Sequence, residues 1–192
     1  MSKVQTGTIV ADESLLELLK KIAGDPALEL EWIDLLSQLE YVGCRKIVKS
    51  VGFEAVSLEV LRHVAEEASH AHLLKSIVGE RPWTQGRFSG AGWRYFQELD
   101  RRVSALPDSE GLRYPGVSWA IERRVLVVYP AYLRATRNDA VQRALRRILA
   151  QEEQHGERFD AFAFPEGYQT AVAAIEEALW PEFLIAVNRL VH

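Results

Sequence analysis

Two segments of this chain place a glutamate and a histidine three residues apart: Glu67-Ala68-Ser69-His70 and Glu152-Glu153-Gln154-His155. On a helix, positions i and i+3 share a face, so both side chains of such a pair can reach one ion. Each pair is preceded by a lone glutamate on the neighbouring predicted helix, Glu40 and Glu122. Carboxylate oxygen and imidazole nitrogen together suit iron or manganese. Glu40, Glu67, His70, Glu122, Glu152 and His155 are therefore the ligand inventory of a carboxylate-bridged dinuclear metal site. With five histidines and 20 glutamates in 192 residues, chance yields about half a Glu-x-x-His match. One match carries little. Two, each with a partner glutamate at a mirrored position, carry much more.

The elements that must position these residues read as helices throughout. Asp12 to Ala23 is a short amphipathic helix with Asp12 as N-cap and Leu15, Leu16, Leu18 and Leu19 inward. Gly24-Asp25-Pro26 breaks it, and proline suits the first turn of the next helix, which runs to about Ser50. Its inward residues are Leu28, Trp32, Leu35, Leu36, Leu39, Cys44, Ile47 and Val48. A turn at Gly52-Phe53-Glu54 leads to a helix from Ser57 to Val78. Residues 79–92, with Gly79, Pro82, Gly86, Gly90 and Gly92, read as a loop. Trp93 to Leu106 is helical, and Pro107 to Gly116 is a second loop. Val117 to Arg137 follows as helix, although Val125-Leu126-Val127-Val128 is β-prone and Pro130 predicts a bend. Asn138-Asp139 caps a helix to about Phe162. The last helix, Gln169 to Leu190, carries Pro181. The chain is all-α and reads as a single domain, 1–192.

An antiparallel hairpin puts residues equidistant from its turn at one height. Halfway between Glu40 and Glu67 lies the predicted turn at Phe53-Glu54. Halfway between Glu122 and Glu152 lies Arg137, beside the predicted turn at Asn138-Asp139. At ~1.5 Å per residue, both glutamate pairs sit about 20 Å from their turns. Glu40 is flanked by Leu36 and Leu39, and Glu122 by Trp119, Val125 and Leu126. A charge on so apolar a stripe is costly unless paired or bound to metal.

This order, spanning about residues 28–162, resembles the ferritin-like di-iron carboxylate superfamily. The resemblance implies a ferritin-like four-helix bundle with one long crossover (residues 79–116) and extra N- and C-terminal helices. It implies that Glu67 and Glu152 bridge two metals, with Glu40 and His70 completing one and Glu122 and His155 the other. The implied cofactor is two iron ions, with Mn/Fe or Mn/Mn as alternatives. The form is similar to the cyanobacterial aldehyde-deformylating oxygenases and to a tRNA-modifying hydroxylase. Rubrerythrins add a cysteine-ligated iron domain, which Cys44 alone cannot supply, and bacterioferritins hold haem through methionine, where this chain has only Met1. The activity implied is O2 activation to oxidise or oxygenate a small molecule. The alternatives are iron oxidation, storage or peroxide detoxification, and a metal-binding interaction protein without turnover. The partners are then O2, a small-molecule substrate and an external electron donor, because no redox-cofactor motif is present; a homodimer stays open.

Around the ligands, Cys44, Trp119, Tyr129 and Phe159 are the candidate pocket residues, and their character favours a small or elongated apolar substrate. His63, four residues before Glu67, is either a hydrogen-bond partner to the ligands or a satisfied core histidine. The segment Arg81 to Tyr95 is either a lid or partner surface or a loop anchored by its own aromatics. A net charge of -4 argues against nucleic acid as a partner. One cysteine excludes an intrachain disulfide. No apolar run approaches the roughly 20 residues of a membrane span, and Met1 to Asp12 lacks the apolar core of a signal peptide. A cytoplasmic protein with no membrane partner is expected.

Overall fold

The computed structural model describes residues 13–107, 111–161 and 164–192, and the side chains of residues 55 and 153–161 lie outside that description. Among the described residues the regular structure is entirely helical, as the periodicity predicts. The helices are α1 (Glu13–Gly24), α2 (Pro26–Ser50), α3 (Leu58–Val78), α4 (Ser89–Ser104), α5 (Arg113–Ala135), α6 (Asp139–Ala161) and α7 (Tyr168–Val191), with 3-10 turns at Phe53–Ala55 and Trp83–Gln85. Three of the helices, α2, α3 and α6, begin on side-chain caps. The Asp25 carboxylate accepts the backbone N–H groups of Ala27 (2.8 Å) and Leu28 (3.3 Å), with Pro26 at the first helical position. The Ser57 hydroxyl accepts from Val60 at 3.2 Å, and the Asn138 side chain accepts from Ala140 at 3.1 Å. The expected caps and ends at Asp12 and Phe162 lie outside the described residues.

Two helices start earlier than their composition suggests, α4 at Ser89 instead of Trp93 and α5 at Arg113 instead of Val117. The residues gained contain the glycines that read as loop. A Cβ on Gly92 would lie 2.4 Å from Leu35 Cδ1, and one on Gly116 would lie 2.9 Å from the Tyr168 ring. Both glycines let helices approach closely instead of ending them. The helix over Val125–Val128 forms as expected, and α5 and α7 run through Pro130 and Pro181 as single helices. On α1 the buried stripe is Leu15, Leu18, Leu19 and Ile22, while Leu16, expected inward, is half-buried. Val48, also expected inward, is exposed in the last turn of α2.

Helices α2 and α3 pack as one hairpin and α5 and α6 as another, with α3 meeting α6. Helix α4 packs on α7, and α1 packs on α5 and α2. The joining segment thus does more than cross over, because its helix pairs with the C-terminal helix to cover the other side of α2 and α5. Trp32 is the hub of that side. It stands edge-on to Phe88 (6.0 Å) and Tyr132 (6.4 Å) and tilted against Phe183 (6.4 Å). Such aromatic pairs add about 0.5–1.5 kcal/mol each beyond their burial. The segment after α3 is tied down. Arg81 grips Glu31 with both terminal nitrogens (2.8 and 2.6 Å), Lys75 reaches Asp34 at 2.6 Å, and Trp83 lies 4.9 Å from the Tyr41 ring. In the stretch expected as lid, partner surface or loop, residues from Ser89 onward belong to α4. No helix among the described residues is long and apolar enough to cross a membrane.

Candidate metal centre

The mirrored spacing of the two hairpins converges in the middle of the bundle. Glu40 on α2, Glu67 and His70 on α3, and Glu152 on α6 are all buried, and each offers a ligand atom within 4.8 Å of the others. A second group joins Glu67 to Glu122 on α5 and to His63 on α3 within the same limit. Glu67 belongs to both groups, which is the position a bridging carboxylate takes. Helix α2 makes room for it. A Cβ on Gly43 would lie 2.6 Å from Glu67 Oε2, so only glycine leaves this carboxylate its place.

The hydrogen bonds orient the donors. His70 Nε2 lies 3.0 Å from Gln151 Oε1. The amide oxygen can only accept, so Nε2 carries the proton and Nδ1 keeps its lone pair in the neutral ring. Nδ1 faces the cluster, 3.1 Å from Glu152 Oε1 and 3.6 Å from Glu40 Oε2. The Tyr129 hydroxyl donates to Glu40 Oε1. His63 Nε2 lies 3.4 Å from Glu67 Oε1 and 3.6 Å from Glu122 Oε1, while the Tyr114 hydroxyl sits 3.4 Å from its Nδ1. Glu122 Oε2 is buried and has no hydrogen-bond partner among the described residues.

Electrostatics make the cluster a site that wants cations. Burial, then the charges of Glu40 and Glu152, push the Glu67 carboxyl well above the usual range, with His70 pulling weakly the other way. Glu122 is raised well above its ordinary value by burial and by the charges of Glu152, Glu67 and Glu40. Burial alone lowers the pKa of His70, but hydrogen bonds and charge from Glu152 and Glu40 outweigh it and carry the imidazole up to about 11. Four buried carboxylates meet two imidazoles here. Two divalent cations would balance four carboxylates. Oxygen donors with one or two imidazoles are the set that suits iron or manganese. The orphaned Glu122 oxygen and the Gly43 cradle fit the same reading.

Of the six expected ligands, the structure brings Glu40, Glu67, His70, Glu122 and Glu152 together. His155 lies on α6 three residues after Glu152, and its side chain is outside the described residues, as is that of Phe159. The residue that spacing alone undervalued is His63, which stands among the carboxylates themselves. Its one signal in the sequence is the i−4 step from Glu67, a step that surface residues also take. Among the pocket candidates, Tyr129 lines the cavity beside the cluster and Cys44 and Trp119 do not. Cys44 is buried one residue past Gly43 and turned off its face. Trp119 packs toward Phe164 (6.4 Å) under the Arg123 guanidinium (4.6 Å). Burial and the Glu67 charge raise the Cys44 thiol, which keeps it protonated and unreactive.

The cavity runs along one face of α2, touching Trp32, Leu36, Leu39, Glu40, Gly43, Lys46 and Ile47, and along α5 from Val117 to Tyr129. It holds about 890 Å³ of unfilled space when its open solvent mouth is included. The carboxylate cluster forms part of one wall. Arg124 forms part of another and is neutralised in place. Its Nε and Nη2 donate to Glu176 at 2.8 and 2.7 Å, the Tyr95 hydroxyl donates to the same carboxylate, and Trp180 lies 4.3 Å from the guanidinium carbon.

Comparison of the chain with known protein families, with curated proteins and with solved structures returns no match. What the molecule itself establishes is an all-helical bundle with a buried glutamate and histidine cluster that could hold metal, compatible with a ferritin-like fold.

Proposed function

We propose that this chain is a ferritin-like dinuclear iron enzyme that uses O2 to oxidise or oxygenate a small apolar molecule lying in the channel. The observation that carries this reading is Glu67, one carboxylate common to two ligand groups in the wall of an apolar cavity. Glu40, His70 and Glu152 would hold one ion with Glu67, and Glu122 and His63 the other. His155 would join Glu122 at the second ion, as the resemblance implies. Iron held by these residues would supply electrons for the reduction of O2. For an oxygenation, one C–H bond, one O2, two electrons and two protons give one hydroxylated product and one water. The two electrons come from an external reductant, since the chain carries no redox-cofactor motif.

The chain's own residues supply the rest. Gln151 fixes the tautomer of His70, and the bond from Tyr129 to Glu40 holds a proton at the phenol oxygen beside the cluster. The walls formed by Leu36, Leu39, Val125 and Val128 exclude water and align an apolar substrate.

Protein purified from iron-supplemented cells is expected to carry about two metal ions per chain and, once reduced, to consume O2 with a change in its optical spectrum. Metal-free protein from such cells overturns the reading, as does metal content unchanged in Glu67→Ala and Glu122→Ala. Loaded protein that stays inert to O2 leaves a metal-binding interaction protein. Assembly into an iron-filled cage leaves storage.

A further inference from the structure

A larger hollow lies outside the carboxylate site, along the exposed face of α4, against α7 and the first turn of α5. It offers water-sized molecules about 810 Å³, against about 90 Å³ in the cavity beside the carboxylates. That is the capacity of a small-molecule site. Tyr95 and Phe183 line both hollows and part them. The floor of the outer groove is apolar, made by Ala91, Tyr95, Leu179, Phe183 and Ala186. Its two alanines keep that floor low, which leaves room for a flat body.

The walls of the groove carry an excess of cations. On α4, Glu98 takes Arg101 through two hydrogen bonds (2.8 and 2.6 Å) and Arg102 through a third (2.7 Å). Asp100 takes Lys46 at 2.7 Å and Arg113 as well. Four cations thus divide two carboxylates. Arg94 lies one turn before Glu98, exposed and without an ion pair among the described residues. The remaining acid of the lining is Glu182, across the groove on α7. Among the described residues, five cations face three carboxylates, which leaves two positive charges over in a chain whose net charge is -4. A guanidinium has five N–H donors, and Glu98 takes two from Arg101.

We infer that the groove between α4 and α7 is a second ligand site, which takes a phosphate monoester on a planar, largely apolar body, the phosphate at Arg94 and Arg101 and the body on the floor over Tyr95 and Phe183. The charges correspond. A phosphate monoester carries about −1.5 to −2 near pH 7, close to the surplus on the walls, whereas a carboxylate carries a single charge. The guanidinium fork meets two phosphate oxygens at once. Arg94 and Arg101 stand two turns apart on the exposed face of α4, ~10 Å along its axis, within joint reach of two long side chains. Glu182 repels the phosphate from α7 and so fixes which way round the ligand lies. The site needs neither a metal nor the inner cavity, so its occupation stands apart from the proposed oxygenation.

The test is calorimetric titration of the full chain with flavin mononucleotide, riboflavin and inorganic phosphate. Flavin mononucleotide should bind at least tenfold more tightly than riboflavin, which has the same ring system without the phosphate. It should exceed inorganic phosphate, which has no ring, by the same factor. Arg94→Gln should lose the preference over riboflavin while binding riboflavin as before. Ala186→Trp, or Gln97→Trp if the first fails a circular-dichroism check of folding, should abolish binding of both flavins. No measurable binding of flavin mononucleotide overturns the inference, as does equal affinity for the two flavins or for the mononucleotide and inorganic phosphate. A preference that survives Arg94→Gln, or binding that survives the blocked groove, overturns it equally.

Discussion

Replacing Gly43 by alanine sets two effects of opposite sign against each other. Alanine in a helix interior is favoured over glycine by about 0.8–1.0 kcal/mol, and Gly43 lies well inside α2. Against this, the new Cβ would stand 2.6 Å from Glu67 Oε2 and 3.4 Å from its carboxyl carbon. The atoms it meets end a flexible side chain, so the metal-free protein escapes the contact by turning Glu67, at roughly 0.5–1.5 kcal/mol for an imperfect rotamer. The two nearly cancel. The metal-free variant should keep its Tm to within a few degrees, since 1 kcal/mol moves a chain of this size by about 2–4 °C. A bridging carboxylate cannot turn and still bridge. In the parent protein, metal at a hundredfold excess over its dissociation constant adds about 2.7 kcal/mol, or roughly 5–11 °C in Tm. Gly43→Ala should lose most of that gain and at least one of its two ions. Differential scanning calorimetry with and without Mn(II), paired with metal analysis, measures both quantities. If Gly43→Ala binds two ions with the full rise in Tm, Glu67 does not bridge. If the metal-free variant falls by more than ~10 °C, the contact is structural.

Three further outcomes follow from the same geometry. Gln151→Ala removes the acceptor that orients His70, so metal affinity measured by chelator competition should fall about 10- to 100-fold while saturating metal still fills the site; unchanged affinity would show that His70 needs no such support. In the metal-free protein, Glu67 and Glu122 have folded pKa values above their unfolded ones, and His70 is raised to about 11. Groups of this kind add stability in full below their unfolded pKa and lose it as pH rises through the folded value. The metal-free Tm should therefore decline from about pH 5 to pH 8, and the gain on adding metal should grow over the same range; a metal-free Tm that climbs through this window contradicts the charge assignment. Arg124→Met leaves the buried Glu176 without its cation and should cost about 3–5 kcal/mol in urea unfolding. Adding Glu176→Gln should recover most of that loss, and failure to recover it would assign Arg124 a packing role instead.

The helices and the clustered glutamates were legible because both rest on arithmetic. Spacing by three or four fixes a face, and equal distance from a turn fixes a height, so Glu40, Glu67, Glu122 and Glu152 could be brought together from their numbers alone. Lateral neighbours have no such rule. His63 reads the same whether Glu122 and Tyr114 stand across from it or water does, and only the packing of α5 against α3 decides. Cys44 and Trp119 were placed by nearness in sequence to a ligand, yet one residue along a helix is about 100° of rotation, enough to turn a neighbour out of the cavity. Glycine was ambiguous in a different way. At Gly92 and Gly116 the missing side chain serves a close contact within a helix, and the chain signals that no differently from a loop. The meeting of Lys46 and Arg113 on Asp100 was invisible for the same reason as His63, because the three come from distant segments.

The ligands are divided between two hairpins that adjoin along the chain only through residues 79–112. Glu40, Glu67 and His70 belong to the first, Glu122 and Glu152 to the second. An ion held by His70 and Glu152 therefore closes a loop of about 80 residues, and a permanent link across such a span removes roughly 4–5 kcal/mol of freedom from the unfolded chain. Loaded, the centre works as a removable staple between halves that otherwise meet at a wall of like charges. Chelation would undo in one step both the proposed metal centre and the tie that keeps the two hairpins in register.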